Sequence, residues 1–158
     1  MFPRWHLSYA RGYLLLGLLD AASEELAALP PEYMEMDDTI ILQASVLQEQ
    51  NEWLRLEPLA ADLVRRHPEA AEWWVMWAYA TRRADSLHAA QDILLEAETR
   101  HPNEATIQFN LACYACQLGD LDLARVRAFK AIQLDRQFAV SAKTDSDLAP
   151  LRATGWSP

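Results

Sequence analysis

A chain of 158 residues, about half of them hydrophobic, is long enough to bury a sizeable core as one domain and too apolar to stay disordered. A net charge of −9 makes nucleic-acid backbones and anionic membrane surfaces poor partners, and no run of Lys/Arg longer than two residues offsets it. Ala, Leu and Glu are plentiful, glycines number only four, and Val, Ile and Thr are sparse, so an all-α fold is expected.

The longest apolar run, residues 13–19 (YLLLGLL), is too short to cross a bilayer. Asp20, Glu24 and Glu25 follow it where a secretory signal would place a small-residue cleavage site. A cytoplasmic location is therefore expected, and two cysteines do not make a disulfide framework.

From there the chain repeats. Arg66-His67-Pro68 returns as Arg100-His101-Pro102, a shift of 34 residues. Four units then fit without a gap: residues 3–36, 37–70, 71–104 and 105–138. Their eighth positions are Ala10, Ala44, Ala78 and Ala112, and their twentieth are Ala22, Leu56, Ala90 and Ala124. The twenty-seventh are Leu29, Leu63, Ala97 and Ala131. The fifteenth are the turn formers Gly17, Asn51, Asp85 and Gly119. Small residues on two helices separated by a turn describe a helix hairpin, which cannot bury its apolar face alone and must stack on its neighbours.

Within this frame, Pro30-Pro31 should end the second helix of unit one early. The acidic residues 32–38 read as a loop into unit two, with Asp37 or Asp38 capping its helix. Pro58 is expected near the first turn of unit two's second helix, where proline is tolerated. Trp74 and Trp77 read as core, Trp73 as ambiguous, and Trp5 and Trp53 as contacts between units. After residue 138 a further helix should continue the stack, and Thr144-Asp145-Ser146-Asp147 offers a cap, with Pro150 and Gly155 as breakers.

Residues 110–135, NLACYACQLGDLDLARVRAFKAIQLD, resemble the tetratricopeptide repeat (TPR) pattern N-L-G-x-x-Y-x-x-x-G-x-x-x-x-A…A-x-x-x-D, with Ala112 where Gly is frequent. The repeat length of that family is also 34 residues. The resemblance covers residues 3–138, and units one and two are the divergent ones. It implies a right-handed superhelical stack of about four antiparallel helix hairpins over residues 1–142, closed by a C-terminal capping tail at residues 143–158. The ending DSDLAPLR is similar to those of many bacterial repeat proteins.

In such a stack the first helix of each hairpin lines a concave groove through positions two, five, nine, twelve and thirteen. The resulting groove candidates are Leu7 and Arg11 in unit one, and Ile41, Ser45 and Gln48 in unit two. Unit three offers Val75, Tyr79, Arg82 and Arg83, and unit four offers Phe109, Cys113 and Cys116. Arg82 and Arg83 suit the carboxylates of a bound peptide, although a solvated face is the plainer reading. The Lys and Asn with which some relatives clamp a terminal carboxylate are missing at these positions.

Cys113 and Cys116 are spaced C-x-x-C, but they fall in mid-helix, away from the helix N-terminus that lowers a thiol pKa. A structural zinc site wants four ligands, and no second C-x-x-C exists. Groove-lining or half-buried thiols are expected, with no metal and no cofactor. No phosphate loop, Ser-His-Asp set or H-E-x-x-H motif is present. The expected function is a non-catalytic protein–protein interaction scaffold that binds a peptide or helix of another protein, with no nucleic-acid or membrane partner. A dedicated secretion-type chaperone is the alternative, and a thiol redox protein using Cys113 and Cys116 a remote one. The sequence leaves the oligomeric state open.

Overall fold

A computed structural model describes residues 4–158, so Pro3, the first position of unit one, lies outside the described residues. Among the described residues every regular element is helical. Unit one is the hairpin α1 (Arg4–Leu15) and α2 (Leu19–Ala27), followed by the one-turn α3 (Pro31–Met34). Unit two is α4 (Asp37–Glu49) and α5 (Trp53–Arg66), unit three α6 (Ala71–Ala84) and α7 (Leu87–Arg100), and unit four α8 (Ala105–Gln117) and α9 (Leu121–Leu134). The chain then forms α10 (Phe138–Thr144), a 3₁₀ turn at Ser146–Leu148, and α11 (Ala149–Arg152).

The repeat columns explain the hairpins. Ala10, Ala44, Ala78 and Ala112 have no exposed surface, and neither do Ala22, Leu56, Ala90 and Ala124. At the eighth position, alanine in every unit, a methyl group lets the two helices approach closely. Gly17, Asn51 and Gly119 adopt left-handed φ values of 72°, 59° and 88°. The residue after each closes its helix with a backbone bond: the Leu18 N–H reaches the Tyr13 carbonyl, Glu52 that of Leu47, and Asp120 that of Ala115. Unit three departs from this. Asp85 keeps a φ of −130°, and Ser86 caps α7 instead, its Oγ accepting the Ala89 N–H at 3.1 Å.

Four expectations need correcting. Asp37 and Asp38 do not cap α4; the cap position is Met36, and both acids sit in the first turn, where the helix dipole favours them. Asp37 instead accepts from His67 (2.8 Å) and Arg66 (3.1 Å), tying the start of α4 to the end of α5. Pro58 lies past the first turn of α5, leaving the carbonyl of the exposed Leu54 without its helical donor. Pro150 does not break the tail but opens α11, where its missing N–H costs nothing. Trp5, expected between units, is half exposed and stacks on His6.

The core runs along the stack as three adjoining clusters. The first joins units one and two around Leu26, Leu29, Leu42 and Val46, the second units two and three around Leu47, Leu56 and Leu63. The third is the largest and joins units three and four to the tail. Trp74 is buried there and donates to the Pro68 carbonyl at 3.0 Å; Trp77 is half buried and donates to Glu57 at 3.3 Å. Beside this cluster, Gln108 is fully buried, donates to Glu98 at 2.7 Å and accepts from Arg127 at 2.8 Å. Burial works against the Glu98 carboxylate, but hydrogen bonds from Arg127 and Gln108 outweigh it and hold its pKa at about 2.

This packing can be tested at two points. Ala78→Leu or Ala112→Leu overpacks a closed helix crossing, so the melting temperature should fall by the equivalent of ~1–3 kcal/mol; an unchanged value would contradict the crossing. Glu98 has a folded pKa below its unfolded value of 4.5, so its contribution is complete above that value and fades as pH falls toward about 2. Thermal melts of the wild type and Glu98→Gln should therefore differ most at neutral pH and converge in acid.

Candidate functional site

The first helices of the hairpins, α1, α4, α6 and α8, carry the candidate stripe. Its upstream part is accessible: Leu7, Ile41, Ser45, Gln48, Val75 and Tyr79 are half buried, and Arg11 and Arg83 are exposed. Three hollows follow it. One of about 280 Å³ has Leu7, Arg11 and Asp38 in its wall, and one of about 380 Å³ has Leu14, Ser45 and Gln48. A third, of about 260 Å³ and mostly apolar, lies between units three and four against Glu72, Val75 and Thr106.

Unit four is different. Phe109, Cys113 and Cys116 do not line an open groove, because the chain's own tail covers them. Phe109 stacks on Phe138 of α10 with ring centroids 4.8 Å apart. Leu148 and Leu151, both fully buried, join Cys113 and Cys116 in the core. Asp145 caps the 3₁₀ turn by accepting the Asp147 N–H at 2.8 Å. The turn is then pinned to the stripe. Both carboxylate oxygens of Asp147 accept from the Arg82 guanidinium, one at 2.9 Å, and Gln117 donates to the Asp147 carbonyl at 2.8 Å. Arg152 fastens the other side through the carbonyls of Ala142 and Asp145, both at 2.8 Å. Arg82 thus meets a peptide carboxylate, and the peptide is this chain's own.

Burial pushes the Cys113 thiol far up, and the nearby carboxylates of Asp145 and Asp147 add to it; burial raises Cys116 as well. A thiolate is what redox or metal chemistry needs, so the surroundings oppose both. Cys113, Asp145 and Asp147 bring their ligand atoms within 4.8 Å of one another, but Asp147 already neutralises Arg82 and Asp145 is spent on the turn.

Two participants lie outside the stripe that the sequence defines. Trp53, at the start of α5, packs edge-on against Tyr79 at 5.4 Å and beside Arg83 at 5.0 Å. Asp147 reads in the sequence only as part of a cap; the available clue is an inner-face arginine with no acid at helical spacing on its own helix.

The geometry defines a helical-hairpin repeat protein whose C-terminal segment packs over the first helix of its last hairpin. No protein-family model and no curated protein matches the sequence. Solved structures match well. TTC0263, a thermophilic TPR protein of Thermus thermophilus, aligns with a TM-score of 0.70 at 18% identity over 98% of this chain and 83% of its own. YrrB, described as a TPR protein with an unusual peptide-binding site, gives 0.72 at 15% identity over 87% of this chain and 72% of its own. MamA MSR-1 gives 0.64 at 13% identity over 94% and 90%. This chain has the tetratricopeptide repeat fold. Among the described residues no helix is long and apolar enough to cross a membrane.

The covered thiols report on the tail. Leu148→Ala removes a fully buried anchor, a change that typically costs ~2–5 kcal/mol, whereas losing a partly exposed ion pair costs about 1. Thiol labelling under native conditions should be slow in the wild type, at least about tenfold faster in Leu148→Ala, and only modestly faster in Asp147→Asn. Fast labelling of the wild type would contradict the closed tail.

Proposed function

We propose that this protein is a non-catalytic interaction scaffold, which holds a peptide or helical segment of another protein in the concave groove over units one to three. The observation that carries this reading is the accessible stripe itself. Leu7, Ile41, Val75 and Tyr79 present a half-exposed apolar ridge across those three units, flanked by Arg11 and Arg83. Apolar anchors with a polar rim are the usual design of a groove that takes peptide side chains. In unit four the tail covers Phe109, Cys113 and Cys116. The fold supports the reading, and YrrB, which shares it, is described as having a peptide-binding site. The charge of −9 opposes nucleic acid as the alternative occupant.

Affinity capture with the wild-type chain, followed by binding measurements with the purified partner, tests this. Val75→Asp places a charge on the ridge at a position already half exposed. It should weaken the partner at least about tenfold while the far-UV circular dichroism spectrum stays helical. Tyr79→Ala should cost ~2 kcal/mol in affinity, as truncating an anchor does. A partner indifferent to both substitutions binds elsewhere, and the groove reading then fails.

A further inference from the structure

We propose that Arg83 is a carboxylate-binding subsite of the groove, so that the partner segment is acidic as well as apolar; this rests on the groove reading above. Arg82 and Arg83 are neighbours on the last turn of α6 and have opposite fates. Arg82 is satisfied internally, its guanidinium filled by Asp147. Arg83 is exposed, and among the described residues its guanidinium has neither a carboxylate nor a hydrogen-bond acceptor. It is nevertheless held in place. Its Cζ lies 3.7 Å from the centroid of the Tyr79 ring and 5.0 Å from that of Trp53, and the two rings brace each other at 72°.

A guanidinium over an aromatic face is held there by the ring quadrupole, and the N–H donors of its fork that point away from the ring stay available. A fork fixed by two rings on different helices has lost much of the rotamer freedom that binding would otherwise have to remove. The group that matches it is a carboxylate, bound through two parallel charge-assisted hydrogen bonds, as Asp147 is bound by Arg82. The neighbours set the rest of the ligand. Val75, Tyr79 and Arg83 follow one another at four-residue spacing along one face of α6, so a segment lying there places an apolar side chain beside Val75 and Tyr79 and an acidic group at Arg83. The chain's net charge of −9 opposes an acidic segment at long range, but screening confines that repulsion to about 8 Å at physiological salt. Glu72, at the other end of α6, repels a second acid there and so orients the segment.

The test uses the full chain and three short fluorescein-labelled peptides at physiological salt, read by anisotropy. One alternates Glu and Leu with an amidated C-terminus, the second replaces Glu by Gln, and the third is the Gln peptide with a free C-terminal carboxylate. An advantage for the Glu peptide over the amidated Gln peptide of at least about fivefold is expected, falling to near unity in Arg83→Gln at unchanged melting temperature. An Arg83-dependent advantage shown only by the free-carboxylate peptide also supports the subsite and assigns it a chain terminus instead of a side chain. Equal binding of all three peptides, or an advantage that survives Arg83→Gln, overturns the subsite. If Val75→Asp abolishes that indifferent binding, the groove reading stands without Arg83; if it does not, the groove reading falls too. No binding by any peptide also overturns the subsite, and the captured partner then decides the groove.

Discussion

The closed alanine crossing is the constraint on which everything else in this molecule rests. Ala at the eighth position of each first helix shares a core cluster with Ala or Leu at the twentieth and twenty-seventh positions of its unit, with no surface left exposed at the eighth and twentieth. Such a crossing brings two helices close but buries little apolar area, since a methyl group contributes only about 0.8 kcal/mol. The large side chains, Leu56, Leu63, Leu94, Ile107, Leu111 and Tyr114 among them, fill the space around the crossings and toward neighbouring units. Stability therefore resides in stacking, and it is unevenly distributed. Units three and four share the largest cluster with the tail, while unit one leaves Leu15, Leu16 and Leu18 exposed at its turn and contributes to the smaller cluster with unit two. Local opening is expected to begin there.

Polar contacts at the junctions hold the units in register. The repeated Arg-His-Pro shows how one sequence signal serves two junctions. In the first copy, Arg66 and His67 reach back to Asp37 at the start of their own unit. In the second, the His101 ring nitrogen lies 3.0 Å from the carbonyl of Pro68, in the first copy, which also accepts from Trp74. Each copy closes one hairpin against its surroundings. Glu98, Gln108 and Arg127 do the same between α7, α8 and α9, with every buried polar group in that set partnered.

The hairpins are legible in the sequence because their signals are local. A turn residue, a methyl-sized column and a proline act within a few residues of themselves, and a period of 34 repeats the turn and the eighth-position alanine in all four units. The direction of the groove stripe is legible for the same reason, since helical spacing fixes which side chains share a face. What helical spacing cannot convey is whether something comes to lie over that face. Position five is apolar in all four units, as Leu7, Ile41, Val75 and Phe109, yet only Phe109 is covered, because only unit four is followed by α10 and its Phe138. Arg82 and Asp147 are 65 residues apart, and Asp147 lies beyond the last repeat, so no periodic reading pairs them. Asp37 shows a related gap: its residue type fits a cap, but partners 29 and 30 residues away give it a different task.

The tail's hold on the groove can be assigned to one kind of force. Burying a leucine side chain contributes about 1.5–3 kcal/mol, and Leu148 and Leu151 are both fully buried. The Arg82–Asp147 pair keeps roughly a quarter of each side chain in contact with solvent, where such pairs contribute about 1 kcal/mol or less. Apolar burial therefore holds the segment down, and the ion pair selects where it sits. The pair fixes the turn at Arg82, one position short of Arg83, and so determines where the covered part of the stripe ends. Two leucines thus keep the tail over Phe109, Cys113 and Cys116 of the stripe. Arg83 stays open at its edge because the carboxylate that the tail brings to the last turn of α6, that of Asp147, is already taken by Arg82.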